Sequence, residues 1–114
     1  MTDTIFGKIL RREIPADIVY EDDAVLAFKD VTPQAPVHIL IIPKRPLRNL
    51  LDAGPGDTLL LGQLLEAAVH VARTVGLDES GFRVVVNTGP DGGQSVDHLH
   101  LHLLGGRPLG WPPG

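Results

Sequence analysis

The chain has 114 residues, no cysteine, and ten basic against fourteen acidic side chains, a formal charge of -4. That length reads as one domain, residues 1-114, able to bury roughly 65% of its unfolded surface in a single core. The missing thiols exclude disulfides and thiolate metal sites, and the acidic balance disfavours a nonspecific grip on nucleic acid while leaving a small phosphorylated ligand open.

From Met1 to Pro15 there is an early acid and only a broken apolar run. That fits neither a signal peptide nor a membrane span, so a cytoplasmic protein is expected. Within this stretch Ile5, Phe6, Ile9, Leu10 and Arg12 have helical spacing, and Pro15 ends one short helix that should pack as a lid or flank. Ile18–Glu21 and Ala24–Lys29 then bracket the acidic turn Glu21-Asp22-Asp23 as an antiparallel hairpin. After the proline-marked stretch Thr32-Pro-Gln-Ala-Pro36, the run Val37-His-Ile-Leu-Ile-Ile42 is almost wholly apolar and β-branched, as a strand covered on both faces would be.

Asp57 to Val75 is the strongest helix: Leu61, Leu64, Leu65, Ala68, Ala72 and Val75 form a core stripe opposite Gln63, Glu66, His70, Arg73 and Thr74. Gly56 or Asp57 starts it and Gly76 stops it. His70, four residues after Glu66 on the polar face, is read as solvated. Phe82–Thr88 reads as a strand, Gly89–Ser95 as a glycine-rich loop and His98–Leu104 as the last strand. The fold class is α+β with an antiparallel sheet.

The last strand carries the chemistry. If residues 98–104 are extended, His98, His100 and His102 share one face and Leu99, Leu101 and Leu103 take the core. A neighbouring pair about 7 Å apart could chelate zinc only with further ligands, for which His38, Asp91 and Asp97 are available. A polar, solvent-facing strand is the plain alternative. The third reading is catalytic: a neutral imidazole attacks an electrophilic phosphorus while its neighbours hold phosphate oxygens. The loop running into the strand favours that reading, because Gly92 and Gly93 let backbone N–H groups approach an anion and Gln94 and Ser95 add side-chain donors.

His98-Leu-His-Leu-His-Leu-Leu104 resembles the His-φ-His-φ-His-φ-φ motif of the histidine triad (HIT) superfamily. Ile5-Phe-Gly-Lys-Ile9, Glu13-Ile-Pro15, Ala27 to His38, Ile41-Ile-Pro-Lys44, Val85-Val-Asn87, Asp91 to Val96, Gly105-Gly-Arg107 and Trp111-Pro-Pro-Gly114 are similar to the Hint branch, so the likeness covers nearly the whole chain.

The resemblance implies a five-stranded antiparallel sheet with two helices, a homodimer whose sheets join, and hydrolysis of purine nucleoside 5′-phosphoramidates such as adenosine 5′-monophosphoramidate, with no cofactor or metal. It makes His100 the nucleophile at the α-phosphorus, flanked by His98 and His102, with His38 behind the row and Ser95 meeting the leaving amine. Asp30 would take the ribose hydroxyls, a role suited to an ionised acceptor. Phe6, Ile9, Phe28, Val31 and Leu40 would wall the purine, Asn87 would touch phosphate or ribose, and the Trp111 tail would reach toward the partner's site. Dinucleoside polyphosphate hydrolysis and nucleotide binding with incidental catalysis remain open. The zinc cysteines of some bacterial members are missing, so roles tied to them do not carry over.

Overall fold

Residues 3–114, described by a computed structural model, form five strands: β1 (Ile18–Glu21), β2 (Val25–Lys29), β3 (Val37–Pro43), β4 (Phe82–Val85) and β5 (Leu101–Gly105). They lie in the order β1-β2-β3-β5-β4, with every neighbouring pair antiparallel. The expected α+β architecture is the one that forms. Its helices are α1 (Ile5–Leu10), α2 (Thr58–Thr74) and a four-residue α3 (Gly89–Gly92) within the segment expected to be plain loop.

Central strand β3 is buried at every position from His38 to Pro43, which is why its sequence does not alternate: each face meets a different layer. Ile39 and Ile41 join Val25, Ala27, Leu101 and Leu103 under α2. On the opposite face Leu40 and Ile42 join Leu26 and Phe28 under Phe6 and Ile9 of α1. The register sets Leu40 against Phe28 on one side and His102 on the other, with His38 opposite Leu104. The histidine segment thus turns its imidazoles to the α1 face and Leu99, Leu101 and Leu103 to the α2 face.

Local chemistry sets the ends of these elements. Asp22 Oδ1 accepts the N–H groups of Ala24 and Val25, both at 2.8 Å, so the turn holds Ala24 and β2 starts one residue later than expected. Thr4 caps α1 by accepting the Gly7 N–H at 3.0 Å. The helix stops at Leu10, short of the expected Arg12, which adopts a left-handed φ of 61° and pairs with Glu21 at 2.7 Å.

In α2 the core stripe is Leu64, Ala67, Ala68, Val71 and Ala72. The expected Leu65 and Val75 are 53% and 37% exposed, because positions 64, 67, 68, 71 and 72 already complete the a, d and e spacing of one helix face. Strand β4 ends at Val85, three residues before the expected Thr88, which leaves Asn87 beyond it. Gly105 is demanded by packing: a Cβ there would lie 2.7 Å from Leu77 Cδ1. Among the described residues no helix is long and apolar enough to cross a membrane.

Leu103, fully buried between sheet and α2, gives the fold its direct test. Leu103→Ala should lower unfolding stability by about 2–5 kcal/mol, read from the shift in urea midpoint at unchanged slope.

Candidate active site

The histidine segment leaves the sheet sooner than its alternation predicts. Strand β5 begins at Leu101, not His98, because the Leu99 N–H bonds to the Leu47 carbonyl at 2.6 Å. His98 is anchored in the same region, its Nε2 donating to the Pro43 carbonyl at 2.9 Å. The imidazoles still gather beside α1. Phe6 lies edge-on to His98 and His100, with ring centroids 6.2 and 5.0 Å away, and the rings of His100 and His102 are 5.0 Å apart.

Hydrogen-bond partners fix which nitrogen of each ring carries the proton. His100 Nδ1 faces the His98 carbonyl at 2.7 Å. A carbonyl only accepts, so Nδ1 is protonated and Nε2 holds the lone pair. His38 Nδ1 accepts the Gln34 backbone N–H at 3.0 Å, which places that ring's proton on Nε2. From there it donates to His102 Nδ1 at 2.9 Å, so the His102 proton resides on Nε2. A main-chain N–H and a main-chain carbonyl therefore give adjacent rings opposite tautomers: His100 offers an electron pair, His102 a proton.

Burial keeps these rings neutral. His38, His98 and His100 are 7%, 3% and 3% exposed, and desolvation lowers the pKa of each below the ordinary imidazole value. His102 is pushed down to about 4, first by desolvation and then by the neighbouring rings of His100 and His38. Asp30 opposes the trend from 3.4 Å beyond His38 Nε2. Its Oδ1 accepts the Thr32 N–H at 2.8 Å, which leaves further acceptor capacity on the carboxylate.

The HIT domain family matches residues 11–109 of the sequence. This chain belongs to the HIT domain family. It is 67% identical to an uncharacterized HIT-like protein of Synechococcus elongatus over 98% of this chain and 97% of that one. It is 59% identical to a 14 kDa zinc-binding protein of Brassica juncea, over 98% of this chain and all of that one. Among solved structures, a HIT family hydrolase of Legionella pneumophila superposes with a TM-score of 0.95 at 49% identity, covering 98% of this chain and 100% of that chain. A histidine triad nucleotide-binding protein of Candida albicans gives 0.83 at 34% identity over 96% and 83%.

Within this HIT fold the sequence-predicted site residues fall into three groups. Asp30, His38 and His102 converge, with one ligand atom from each lying within 4.8 Å of the others. Phe6, Ile9, Phe28 and Leu40 pack together in the apolar layer under α1. Asn87 is half-buried and Ser95 exposed, while Val31 stands 96% exposed, free of any packed wall.

Two loop expectations change. Gln94 offers no free donor: its Nε2 reaches the carbonyls of Arg48 and Val96 at 2.7 and 3.0 Å, and its Oε1 accepts from Gly89 N and Asn49 Nδ2. Gly93 adopts a φ of 76°, and its N–H and that of Gln94 close the turn onto Pro90 and Gly89. Both residues shape the loop, because a tight turn engages its own donors. Trp111 is 83% exposed on a tail that Arg83 holds by the Gly110 carbonyl at 2.8 Å.

The contacts that sequence reasoning missed are main-chain ones, Gln34 N–H and the Pro43 and Leu47 carbonyls. Only the proline-marked stretch preceding β3 hinted at one of them.

Long-range proton–nitrogen NMR should find His100 protonated at Nδ1 and His102 at Nε2, with His102 titrating near pH 4. The unfolded imidazole takes its proton near pH 6.5. Between these values the unfolded state binds more protons, so stability is full above about pH 6.5 and falls toward pH 4. The urea midpoint should drop over that window, and His102→Gln should flatten part of the slope.

Proposed function

We propose that this HIT protein is a purine nucleoside 5′-phosphoramidate hydrolase of the Hint branch, a cytoplasmic enzyme acting through a nucleotidyl-histidine at His100 and releasing AMP or GMP. The observation that carries this reading is the His100 tautomer: its Nδ1 is tied to the His98 carbonyl at 2.7 Å, which frees Nε2 for attack. The lowered pKa keeps that nitrogen unprotonated at neutral pH.

Nε2 of His100 forms a bond to the α-phosphorus as the phosphorus–nitrogen bond to the amine breaks. The departing nitrogen takes a proton relayed from solvent by the Ser95 hydroxyl and so leaves as the neutral amine, and His102 Nε2–H donates to a phosphoryl oxygen, where one such donor contributes about 3 kcal/mol in other enzymes. Water then attacks the same phosphorus, the bond to Nε2 breaks, and the nucleoside monophosphate leaves. Asp30 accepts the ribose hydroxyls, Asn87 contacts ribose or phosphate, and Phe6, Ile9, Phe28, Val31 and Leu40 meet the purine. Solvent reaches Asp30, Val31, Asn87, Ser95 and His102 far more than the nearly buried His100, so the nucleotide enters from their side.

The Legionella hydrolase and the Candida nucleotide-binding protein support a nucleotide-cleaving reading. A homodimer is supported by β4, an edge strand whose free side can extend the sheet into a second copy, and by Leu59, Leu65 and Val69 exposed on α2. In that dimer the Trp111 tail reaches the partner's site.

The zinc in the name of the Brassica relative does not fit the trio of Asp30, His38 and His102. Gln34 N–H donates to His38 Nδ1 and so keeps a proton on Nε2, the atom that would have to face the ion. No step of the reaction is routed through a metal.

His100→Ala should retain nucleotide binding, lose turnover by about three orders of magnitude or more, and yield no nucleotidylated protein by mass spectrometry. Normal turnover would remove the proposal, and a strong preference for diadenosine polyphosphates over an adenosine phosphoramidate would reassign the substrate class. Asp30→Asn should raise KM about tenfold with a smaller effect on kcat, as loss of a charged hydrogen bond to ribose requires.

A further inference from the structure

Helix α1 turns Phe6 and Ile9 toward the triad, and helical spacing puts Thr4, Gly7 and Arg11 on another side. On that side a cleft of about 530 Å³ opens between α1 and the segment from Lys44 to Asp52. Its volume is that of a small-molecule site. Of the catalytic and nucleotide residues named above, His98 alone lines it. The cleft is therefore a second compartment sharing one wall with the triad.

Its lining combines an apolar side with charges of both signs. Leu10, Pro46 and Leu47 supply the hydrocarbon. Two cations of the lining are engaged: Arg11 with Asp3 and Glu13, and Lys44 with Glu21 at 2.7 Å. Arg48 differs. Its side chain is 67% exposed and its Nε comes no nearer than 3.7 Å to the carboxylate of Asp97, itself 52% exposed. That separation is too long for a hydrogen bond, and an exposed pair of this kind is cheap to open.

Arg48 thus keeps a guanidinium fork for a carboxylate, and Asp97 keeps acceptors for an ammonium group. Opposite charges held this close, beside three apolar side chains, match a small zwitterion with a hydrocarbon branch.

We propose that this cleft binds a free α-amino acid with an aliphatic side chain, its carboxylate on Arg48, its ammonium on Asp97 and its side chain against Leu10, Pro46 and Leu47. Occupancy reaches His100 through His98, a residue that lines the cleft and whose carbonyl holds His100 Nδ1. Amino-acid binding in this cleft is independent of phosphoramidase activity and is measured without it.

The test is a proton–nitrogen NMR titration of the full chain with leucine. Saturable shifts should appear at Leu10, Leu47, Arg48 and His98 and be relayed to the His100 ring. Binding should weaken by about tenfold or more for 4-methylpentanoate, which lacks the ammonium, for 3-methylbutylamine, which lacks the carboxylate, and for glycine, which lacks the side chain. Arg48→Gln and, separately, Asp97→Asn should abolish the leucine shifts with the remaining spectrum preserved. No shift up to the solubility of leucine, equal binding of 4-methylpentanoate, or undiminished leucine binding by both variants would overturn the proposal.

Discussion

A backbone carbonyl decides what His100 can do. Because the His98 oxygen accepts a hydrogen bond from His100 Nδ1–H at 2.7 Å, the lone pair is fixed on Nε2. That oxygen is free for the ring because the chain has not yet joined the β5 ladder. Had residues 98–100 continued as regular strand, their carbonyls would face a neighbouring strand. The Leu99 bond to Leu47 and the His98 bond to Pro43 pull this segment out of the sheet, so the departure from regular structure is what leaves the lone pair on His100 Nε2.

The second constraint is dielectric. Burying imidazoles beneath an apolar helix would cost about 1–3 kcal/mol for each polar nitrogen left without a partner. Here the carbonyls of Pro43 and His98, the Gln34 N–H and the His38–His102 contact satisfy one nitrogen after another. The same burial that lowers the pKa values keeps the rings neutral, and neutral rings can be both nucleophile and directed donor. Neutral rings and stability therefore rest on one set of hydrogen bonds, and the fold weakens as pH falls from the unfolded imidazole value toward the lower pH at which the native His102 ring charges.

Much of this was legible in the chain. The unbroken apolar run of β3, the helix after Asp57, the antiparallel class and the grouping of His98, His100 and His102 follow from periodicity and from residue types suited to two covered faces. Less legible were positions where two patterns compete. Leu65 fits a helical stripe as well as Val71 does, and only the packing of Ala67 and Ala68 against the sheet turns it outward. Gln94 has the chemistry of a ligand donor, yet four contacts within the chain engage it. The Gln34 side chain left no signal, because the residue acts through its main-chain N–H, a group every residue but proline possesses.

The contrast between Gln94 and His38 shows how this fold separates support from chemistry. Gln94 ties the Gly89–Gly93 turn to the segment containing Arg48 and Asn49, two stretches far apart in sequence. Every polar atom of its amide is engaged, which leaves the residue without a free group for a ligand. His38 uses one nitrogen to read the main chain and the other to set the proton on His102. It thereby passes a backbone constraint to a ring that solvent can reach. A hydrogen-bonded loop on one side and a relayed tautomer on the other hold the exposed edge of the site to one hydrogen-bonding pattern. In the proposed reaction an anionic phosphorus group approaching that edge would meet a donor already oriented, with little reorganisation left for the moment of reaction.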